Sequence, residues 1–237
     1  MSTSYFILSK PDGAVDDNES NNMVGFSNQI SYILPRNLIS CYCERGLFEA
    51  RLIEWCKQFC KPDKIVLDIG AHTGTYALSL ASKSKHVYAF EPQKMTYYAL
   101  CGGVALSNLN NVTCMNFGLG SPEQVGSNTL NIISHDGGGS SIHATTTDIL
   151  REETIQIDML DNLNITDIGF IKMDVEDNEF FVLQGATKTL SLSGFPPILF
   201  ECNDKTKNGN LFDILEKMSY KIATLSGVHN MYLASQQ

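Results

Sequence analysis

The stretch Ile65-Val-Leu-Asp-Ile-Gly-Ala-His-Thr-Gly74 decides the fold class of this chain of 237 residues. Its apolar first half predicts a buried strand, and the glycines after it predict a tight turn into a helix over 73–83. Gly70 and Gly74 allow the backbone to approach a ligand closely, and the start of the helix offers free N–H groups. His72 stands where a dinucleotide fingerprint needs its second glycine, so the turn is not typical of a pyrophosphate site.

The next strand of the same unit ends in an acid. The strand is predicted over 87–90, and Glu91 follows it about 20 residues after Gly70, where a carboxylate can accept two hydrogen bonds from a ribose diol. The glycine turn favours a ligand with an amino-acid moiety, whose ammonium group could be met by Asp68 or by the carbonyls of the turn. A nucleoside and an amino acid in one ligand point to S-adenosylmethionine as the cofactor.

Short apolar strands alternate with helices from Lys64 onward, and this alternation indicates a parallel sheet with helices on both faces. The other strands are predicted over 112–117, 170–175 and 198–202, and the other helices over 46–60, 93–108, 178–191 and 209–218. The runs 221–225 and 231–234, joined by a turn-like segment, predict an antiparallel hairpin at the end of the sheet.

A glycine-rich loop interrupts this alternation. It lies over 135–143, carries His135 and His143, and is flanked by strand-like runs at 129–133 and 154–157. A loop of this kind inserted into an α/β sheet is interpreted either as a loop on the substrate side or as a surface hairpin.

The charge of the chain disfavours bulk binding of nucleic acid, although it leaves a local basic groove open. Lys and Arg number 17 against 26 Asp and Glu, which gives a net charge of −9 and argues against bulk binding of nucleic acid. The acidic run from Glu152 to Glu179 is interpreted either as a solvated face or as a source of carboxylates for a site. The seven cysteines are odd in number, and no secretory signal or membrane-spanning run is recognised, so reduced thiols and a cytoplasmic location are expected.

Four blocks of the sequence resemble the FkbM-type S-adenosylmethionine-dependent methyltransferases, and they lie at 68–74, 90–92, 170–176 and 198–201. The run Val182-Leu-Gln-Gly-Ala186 matches as well, whereas Asp177 replaces the glycine that follows Glu176 in the family. The resemblance implies a Rossmann-like class I methyltransferase fold of the α/β class, with a seven-stranded, mostly parallel sheet, a reversed last strand and helices on both faces. It also implies O-methylation of a hydroxyl, often on a sugar or a glycosylated metabolite.

The resemblance covers roughly residues 45–235 and suggests a division of the chain. Residues 1–45 are expected to be an N-terminal extension, in which the polar segment 11–22 forms a mobile loop. Residues 46–237 are expected to form the methyltransferase domain.

The residues predicted to bind the cofactor fall into three groups along the chain. They are Asp68, Gly70, Ala71, His72 and Gly74 at the methionine end, Glu91 at the ribose, and Asn116 and Gly118 beside the adenine. Asn116 and Gly118 are assigned to the adenine only because their loop follows the third strand. His72 has the alternative interpretation of a helix cap.

Three carboxylates are predicted at the acceptor side of the cofactor, because ligands of open α/β sheets bind outside the carboxyl ends of the strands. They are Asp174, Glu176 and Glu201, at the ends of two neighbouring strands. A sugar hydroxyl is a poor nucleophile, so a base or a metal ion should help to remove its proton. Asp174 is the predicted base or metal ligand, and the two glutamates are predicted to orient the acceptor, or else to cap a helix and to hold structure.

Other candidates for this chemistry stay open. His143 and His135 are alternative bases, since histidine has a suitable unperturbed pKa. A divalent cation such as Mg²⁺ could bind Asp174 together with Glu201 or Asn203, because oxygen ligands suit that ion.

The predicted partner is a sugar-containing or small-molecule acceptor. Three alternatives remain: a methyltransferase of RNA ribose or of protein, an inactive cofactor-binding subunit, and an enzyme that transfers hydride. The residues identify neither the acceptor nor the oligomeric state.

Overall fold

The computed structural model describes residues 4–11, 29–143, 148–203 and 209–236, so most of the loop predicted over 11–22 lies outside the described residues. The strands are, in chain order, β1 (Tyr5–Pro11), β2 (Gln29–Pro35), β3 (Ile65–Ile69), β4 (His86–Phe90), β5 (Val112–Met115), β6 (Gly118–Leu119), β7 (Gly126–Ile132), β8 (Arg151–Asp158), β9 (Ile168–Met173), β10 (Ile198–Glu201), β11 (Lys221–Thr224) and β12 (Met231–Ser235).

The helices are α1 (Ile39–Arg45), α2 (Ala50–Cys56), α3 (Thr75–Leu80), α4 (Lys94–Leu106), α5 (Glu179–Gln184), α6 (Thr187–Leu192) and α7 (Gly209–Lys217). Within the described part of the chain, no helix has both the length and the apolar character that a membrane crossing requires.

A seven-stranded sheet forms the centre of the fold, in the order β5-β4-β3-β9-β10-β12-β11. The first five of these strands run parallel to one another. β12 runs antiparallel to both of its neighbours, so the last strand of the chain is the reversed one. The predicted fold class and the predicted terminal hairpin are both confirmed.

Side chains that alternate along the strands supply a hydrophobic core on each face of this sheet. In β3, Val66 packs into one core, whereas Leu67 and Ile69 pack into the other. Leu78 of α3 belongs to the first core and Val182 of α5 to the second. The strand is therefore apolar on both faces, which is what helices on both sides of a parallel sheet require.

The N-terminal segment shares one of these cores. β1 and β2 form an antiparallel pair, and Ile30, Tyr32 and Leu34 of β2 are buried in the core that contains α3. The hydroxyls of Tyr32 and Ser79 are hydrogen-bonded at 2.8 Å. The boundary predicted at residue 45 therefore lies within a continuous hydrophobic core, although the division into extension and domain stays a prediction.

The single helix predicted over 178–191 is two helices, α5 and α6. A Cβ at Gly185, between them, would lie 2.0 Å from the carbonyl oxygen of Gly120, so this glycine packs directly on a neighbouring backbone. Asp161 then accepts hydrogen bonds from the backbone N–H groups of Lys188 (3.1 Å) and Thr189 (2.7 Å) at the start of α6. These tertiary contacts start a second helix that periodicity alone does not distinguish from the first.

A second, three-stranded sheet in the order β6-β8-β7 stands beside the main one. Its β7 and β8 are the strand-like runs predicted around the glycine-rich loop, and they pair antiparallel. The segment 135–143, called the glycine loop below, leaves the end of β7 and returns beside it, with Ser141 bridged to Asn131. This arrangement places the loop at the carboxyl edge of the main sheet.

Candidate active site

The turn after β3 is built around Gly70. The N–H groups of Gly70 and Ala71 both donate to the carbonyl of Phe90, at 3.0 and 2.9 Å. Gly70 has a φ of +79°, and a Cβ there would lie 1.8 Å from the carbonyl oxygen of Asp174. Gly74 has a φ of +86°, and its Cβ would lie 2.5 Å from Leu100. These two glycines, predicted to allow a ligand to approach closely, are therefore required for packing within the protein itself.

Asp68 lies beneath this turn and is fully buried. Its Oδ2 accepts a hydrogen bond from the backbone N–H of Ala77 at 2.8 Å, in the first turn of α3, and its Oδ1 has no hydrogen-bond partner among the described residues. Burial raises the pKa of Asp68 to about 6, against the lowering effect of the Lys172 ammonium. Asp68 therefore holds the start of α3 from the interior of the protein.

Glu91, at the end of β4, is almost completely buried. Its Oε2 accepts from the backbone N–H of His72 at 2.7 Å, and its Oε1 accepts from that of Gln93 at 2.8 Å. Burial raises the pKa of Glu91, and the charge of His72 and these hydrogen bonds oppose that rise. The Thr96 side chain also hydrogen-bonds this carboxylate, so of its about four lone-pair positions about one remains for a ligand.

The glycine loop spans the space between two parts of the carboxyl edge. On one side, the Nε2 of His72 lies 2.7 Å from the carbonyl oxygen of Asp136. On the other side, the N–H of Gly139 donates to Glu176 Oε1 at 3.0 Å. The loop is therefore attached both to the turn after β3 and to the segment after β9.

These segments line a cleft that opens to solvent. Its volume, including the part that is open to solvent, is about 870 Å³. One wall is apolar and comes from the second sheet and the glycine loop, with Leu119, Leu130, Ile142, Ile155 and Ile157. The opposite wall carries the carboxylates Glu91, Asp174 and Glu176 and the turn after β3. An apolar cleft with a few convergent polar groups is the usual form of a small-molecule site.

The residues predicted to bind the cofactor divide into two sets. Those that line the cleft are Gly70, His72, Glu91 and Gly118, and those that stand behind it are Asp68, Ala71, Gly74 and Asn116. Asn116 illustrates the second set, because its side-chain amide donates to the carbonyls of Glu91 (2.9 Å) and Pro92 (3.2 Å) and so supports the end of β4. The sequence pattern does not distinguish the two sets, because the residues that support the turn belong to the same motif as the residues that face the cleft.

Asp174 is held by a buried lysine. Lys172 is 4% exposed, and its Nζ lies 3.2 Å from Asp174 Oδ2 and 3.4 Å from the carbonyl oxygen of Gly70. Burial works against the charge of Asp174, but the Lys172 ammonium and a hydrogen bond from Glu201 hold the pKa of Asp174 below its usual value. Although burial also opposes the charge of Lys172, the carboxylates of Asp174 and Asp68 raise its pKa. The two groups form an ion pair at neutral pH.

Glu201 carries the proton of this cluster. Burial and the neighbouring charge of Asp174 raise the pKa of Glu201 to about 8, and the two side chains share a hydrogen bond. One oxygen from each of Asp174, Glu176 and Glu201 lies within 4.8 Å of the others, a spacing at which three carboxylates could hold a cation. The Lys172 ammonium already compensates the charge of Asp174 within this cluster. Asn203, the other ligand considered, accepts a hydrogen bond from Asn230 at 2.8 Å.

The backbone after Asp174 is strained. Glu176 and Asp177 have φ values of +52° and +74°, in the left-handed region that favours glycine. Asp177 thus occupies the conformation for which the resembling family has a glycine, and the turn forms despite the substitution. The turn directs Glu176 towards the glycine loop, where both its side chain and its carbonyl bind loop residues.

The two histidines considered as bases lie outside the cleft lining. His143 stacks on Phe181, with ring centroids 5.2 Å apart, and its Nε2 lies 2.8 Å from Asn178 Oδ1. His135 is exposed. The structure therefore brings Asp174, Glu176 and Glu201 together and leaves both histidines apart from them.

Asn178 is a lining residue that the sequence interpretation missed. It is 5% exposed, its Nδ2 donates to the carbonyl of Leu119 at 3.0 Å, and its Oδ1 accepts from Gln124 at 2.9 Å and from His143. Its position before α5 is typical of an N-cap residue, yet its side chain makes no capping hydrogen bond. The sequence pattern thus predicts a capping hydrogen bond for Asn178, whereas its side chain bonds residues of other segments.

The fold and the site define the class of protein. A seven-stranded sheet with a reversed last strand is the fold of a class I methyltransferase, and the glycine turn after β3 and the acid after β4 stand at its carboxyl edge. The Methyltransferase FkbM domain matches residues 68–222, which is more than half of the chain. The chain therefore belongs to the FkbM methyltransferase family, whose members use S-adenosylmethionine as the methyl donor.

Two solved structures illustrate the likeness of the fold. Methyltransferase FkbM from Methylobacillus flagellatus is 20% identical, with 74% of this chain and 44% of that protein covered and a TM-score of 0.53. The precorrin-6y C5,15-methyltransferase from Geobacter metallireducens is 12% identical, with 80% and 88% covered and a TM-score of 0.50. At these identities the similarity shows the fold alone, and this chain spans less than half the length of the first protein. No curated protein sequence matches the chain.

Proposed function

We propose that this chain transfers a methyl group from S-adenosylmethionine to a hydroxyl of a sugar or of a glycosylated small molecule. The observation that carries the proposal is the position of Asp174, an ionised carboxylate in the cleft wall beside the turn after β3. Membership of the family supports methyl transfer. The resemblance and the charge of the cleft support the acceptor class.

The residues that line the cleft support S-adenosylmethionine as its ligand. The apolar wall of Leu119, Ile155 and Ile157 would hold the adenine, and the lone pair that remains on Glu91 would accept a ribose hydroxyl. The turn at Gly70 and His72 would hold the methionine end. When bound, S-adenosylmethionine supplies a methyl group on an electrophilic sulfonium.

Asp174 is the base in this proposal. Its carboxylate accepts the proton of the acceptor hydroxyl, and the Lys172 ammonium at 3.2 Å keeps the side chain ionised and fixed. Glu201, which is protonated at neutral pH, donates its hydrogen bond to Asp174 and so helps to hold the base in place. Glu176 binds the glycine loop with one carboxylate oxygen and orients the acceptor with the other. Fixed positions of this kind supply much of the acceleration of a displacement reaction.

The charge around the base supports an uncharged acceptor. Asp174 and Glu176 line the cleft, and among the described residues no Lys or Arg lines it, so a phosphate group on the acceptor would meet carboxylates without a cation to bind it. The net charge of −9 also disfavours RNA. We propose the cytoplasm as the location, which the seven free thiols support.

Transfer of a labelled methyl group tests this function. Purified protein is incubated with labelled S-adenosylmethionine and, separately, with the glycan, RNA and protein fractions of the host cell. We expect label in the glycan fraction. Label confined to RNA or to protein would show that the acceptor belongs to that class and would overturn the proposed one. If the protein binds S-adenosylhomocysteine but transfers no label, it is an inactive subunit.

A further inference from the structure

His72 belongs to the turn after β3, yet its two hydrogen bonds point away from that turn. Its φ is +51°, a left-handed conformation that costs free energy for a residue with a side chain. Its backbone N–H donates to Glu91 Oε2 at 2.7 Å. Its ring Nε2 lies 2.7 Å from the carbonyl oxygen of Asp136, and because a carbonyl oxygen only accepts, the ring nitrogen is the donor.

The bond to Asp136 places His72 at one end of the glycine loop. Gly137, Gly138 and Gly139 line the cleft, between the anchor at His72 and the anchor at Glu176. The N–H of Gly139 donates to Glu176, which follows β9 as His72 follows the neighbouring strand β3. The loop is thus attached at two points of the wall that carries the carboxylates, with its three glycines along the cleft between them.

Asp136 and Gly137 are held by residues around the loop as well as by a contact within it. Asp136 Oδ1 accepts from the hydroxyl of Ser134 at 2.7 Å and from the N–H of Gly138 at 3.2 Å, and its Oδ2 accepts from Asn37 at 3.3 Å. Gly137 has a φ of +88°, and a Cβ there would lie 2.7 Å from the side-chain oxygen of Gln93. Because Asp136 is bonded to Gly138, holding Asp136 also restrains the glycines that line the cleft.

We propose that His72 is a positioning residue that fixes the glycine loop over the bound cofactor through its ring. The inference rests on the proposed function to the extent that the cleft is taken as the cofactor site. Without the ring, the loop would keep its anchor at Glu176 and lose the one at the turn after β3. The loop would then open more often, and the bound cofactor would leave faster, with its contacts in the cleft otherwise unchanged.

The substitution His72→Ala removes the ring and leaves the hydrogen bond to Glu91 in place, because that bond comes from the backbone N–H of residue 72. His72→Gln restores a donor of similar reach, and His72→Phe keeps a flat ring without a donor. His229→Ala is the matched control, since His229 is exposed and lies in the terminal hairpin. Melting temperatures of all four variants establish that each is folded.

The first measurement is the dissociation rate of S-adenosylhomocysteine, followed by stopped flow. We expect it to rise about tenfold in His72→Ala and His72→Phe, and to stay near the original value in His72→Gln and in the control. The second is hydrogen exchange at the amides of Gly138 and Gly139, which we expect to quicken by a similar factor in the same two variants.

The outcomes separate this inference from the proposed function. If the unaltered protein does not bind S-adenosylhomocysteine, the proposed cofactor site is wrong, and the exchange of Gly138 and Gly139 still tests the anchor. If the protein binds the ligand but dissociation and exchange are unchanged in His72→Ala and His72→Phe, the positioning role of His72 is overturned. A fall in melting temperature that Gln does not reverse, without faster dissociation, would also overturn it.

Discussion

Replacement of Gly70 by alanine should destabilise the protein far more than the same change at Gly194. Both glycines have a left-handed φ, +79° and +74°, so each substitution costs about 1 kcal/mol for the conformation alone. A Cβ at Gly194 would have no atom within 4 Å, whereas one at Gly70 would lie 1.8 Å from the carbonyl oxygen of Asp174. The pair therefore isolates the contact between the turn after β3 and the end of β9.

The size of the effect follows from the movement that the contact would force. Contacts below 3.0 Å are essentially never seen for a real Cβ, so the turn would have to move away by at least 1.2 Å. This would weaken the hydrogen bonds from Gly70 N–H to Phe90 (3.0 Å) and from Asp174 N–H to Ile69 (2.9 Å). Each is worth about 1 kcal/mol, so the total cost at Gly70 is about 3 kcal/mol.

Thermal and urea unfolding measure the difference. We expect Gly70→Ala to lose about 2 kcal/mol more than Gly194→Ala, which corresponds to about 6 °C in melting temperature for a chain of this length. Calorimetry with S-adenosylhomocysteine should show weaker binding only in Gly70→Ala. If the two variants unfold within about 0.5 kcal/mol of each other, the turn does not depend on this contact and the reasoning is refuted.

Three further substitutions test the site. Asp174→Asn should lower methyl transfer at least about 100-fold while S-adenosylhomocysteine binding stays within about twofold, and Asp213→Asn on the exposed side of α7 should change neither. The pKa of Glu201, raised to about 8 from an ordinary 4.5, means that the native protein keeps a proton which the unfolded chain releases, so stability falls as the pH rises through this range. Glu201→Gln should flatten the fall in melting temperature between about pH 5 and 8, and an unchanged slope would contradict the assignment. Asp177→Gly should cost less than about 0.5 kcal/mol or stabilise the protein, because φ is +74° there, whereas Ala105→Gly at an exposed position of α4 should cost about 1 kcal/mol.

The sequence could predict the fold because its signals are local and periodic. The apolar run of β3, the turn at Gly70 and the apolar strands that follow each bury their own faces, so the pattern of burial is visible in the chain itself. The break between α5 and α6 was not visible, because it depends on the carbonyl of Gly120 and the carboxylate of Asp161, which are distant in sequence.

The candidate site could be predicted only in part, for the same physical reason. Asp174, Glu176 and Glu201 were placed together because parallel strands end at one edge of the sheet. Position along a strand does not separate a residue that faces the cleft, such as Glu91, from one that supports the turn, such as Asp68. The bond from His72 to Asp136 joins residues far apart in the chain, so no spacing rule predicts it.

The central claim is that the cleft beside Glu91 and Asp174 binds S-adenosylmethionine. The most direct test is a calorimetric titration of the protein and of the variant Glu91→Gln with S-adenosylhomocysteine and with NAD, with Glu216→Gln on the exposed side of α7 as the control. The account predicts that S-adenosylhomocysteine binds, that Glu91→Gln weakens this binding at least about tenfold while the control does not, and that NAD gives no heat. Tight binding of NAD with no response to S-adenosylhomocysteine would contradict it.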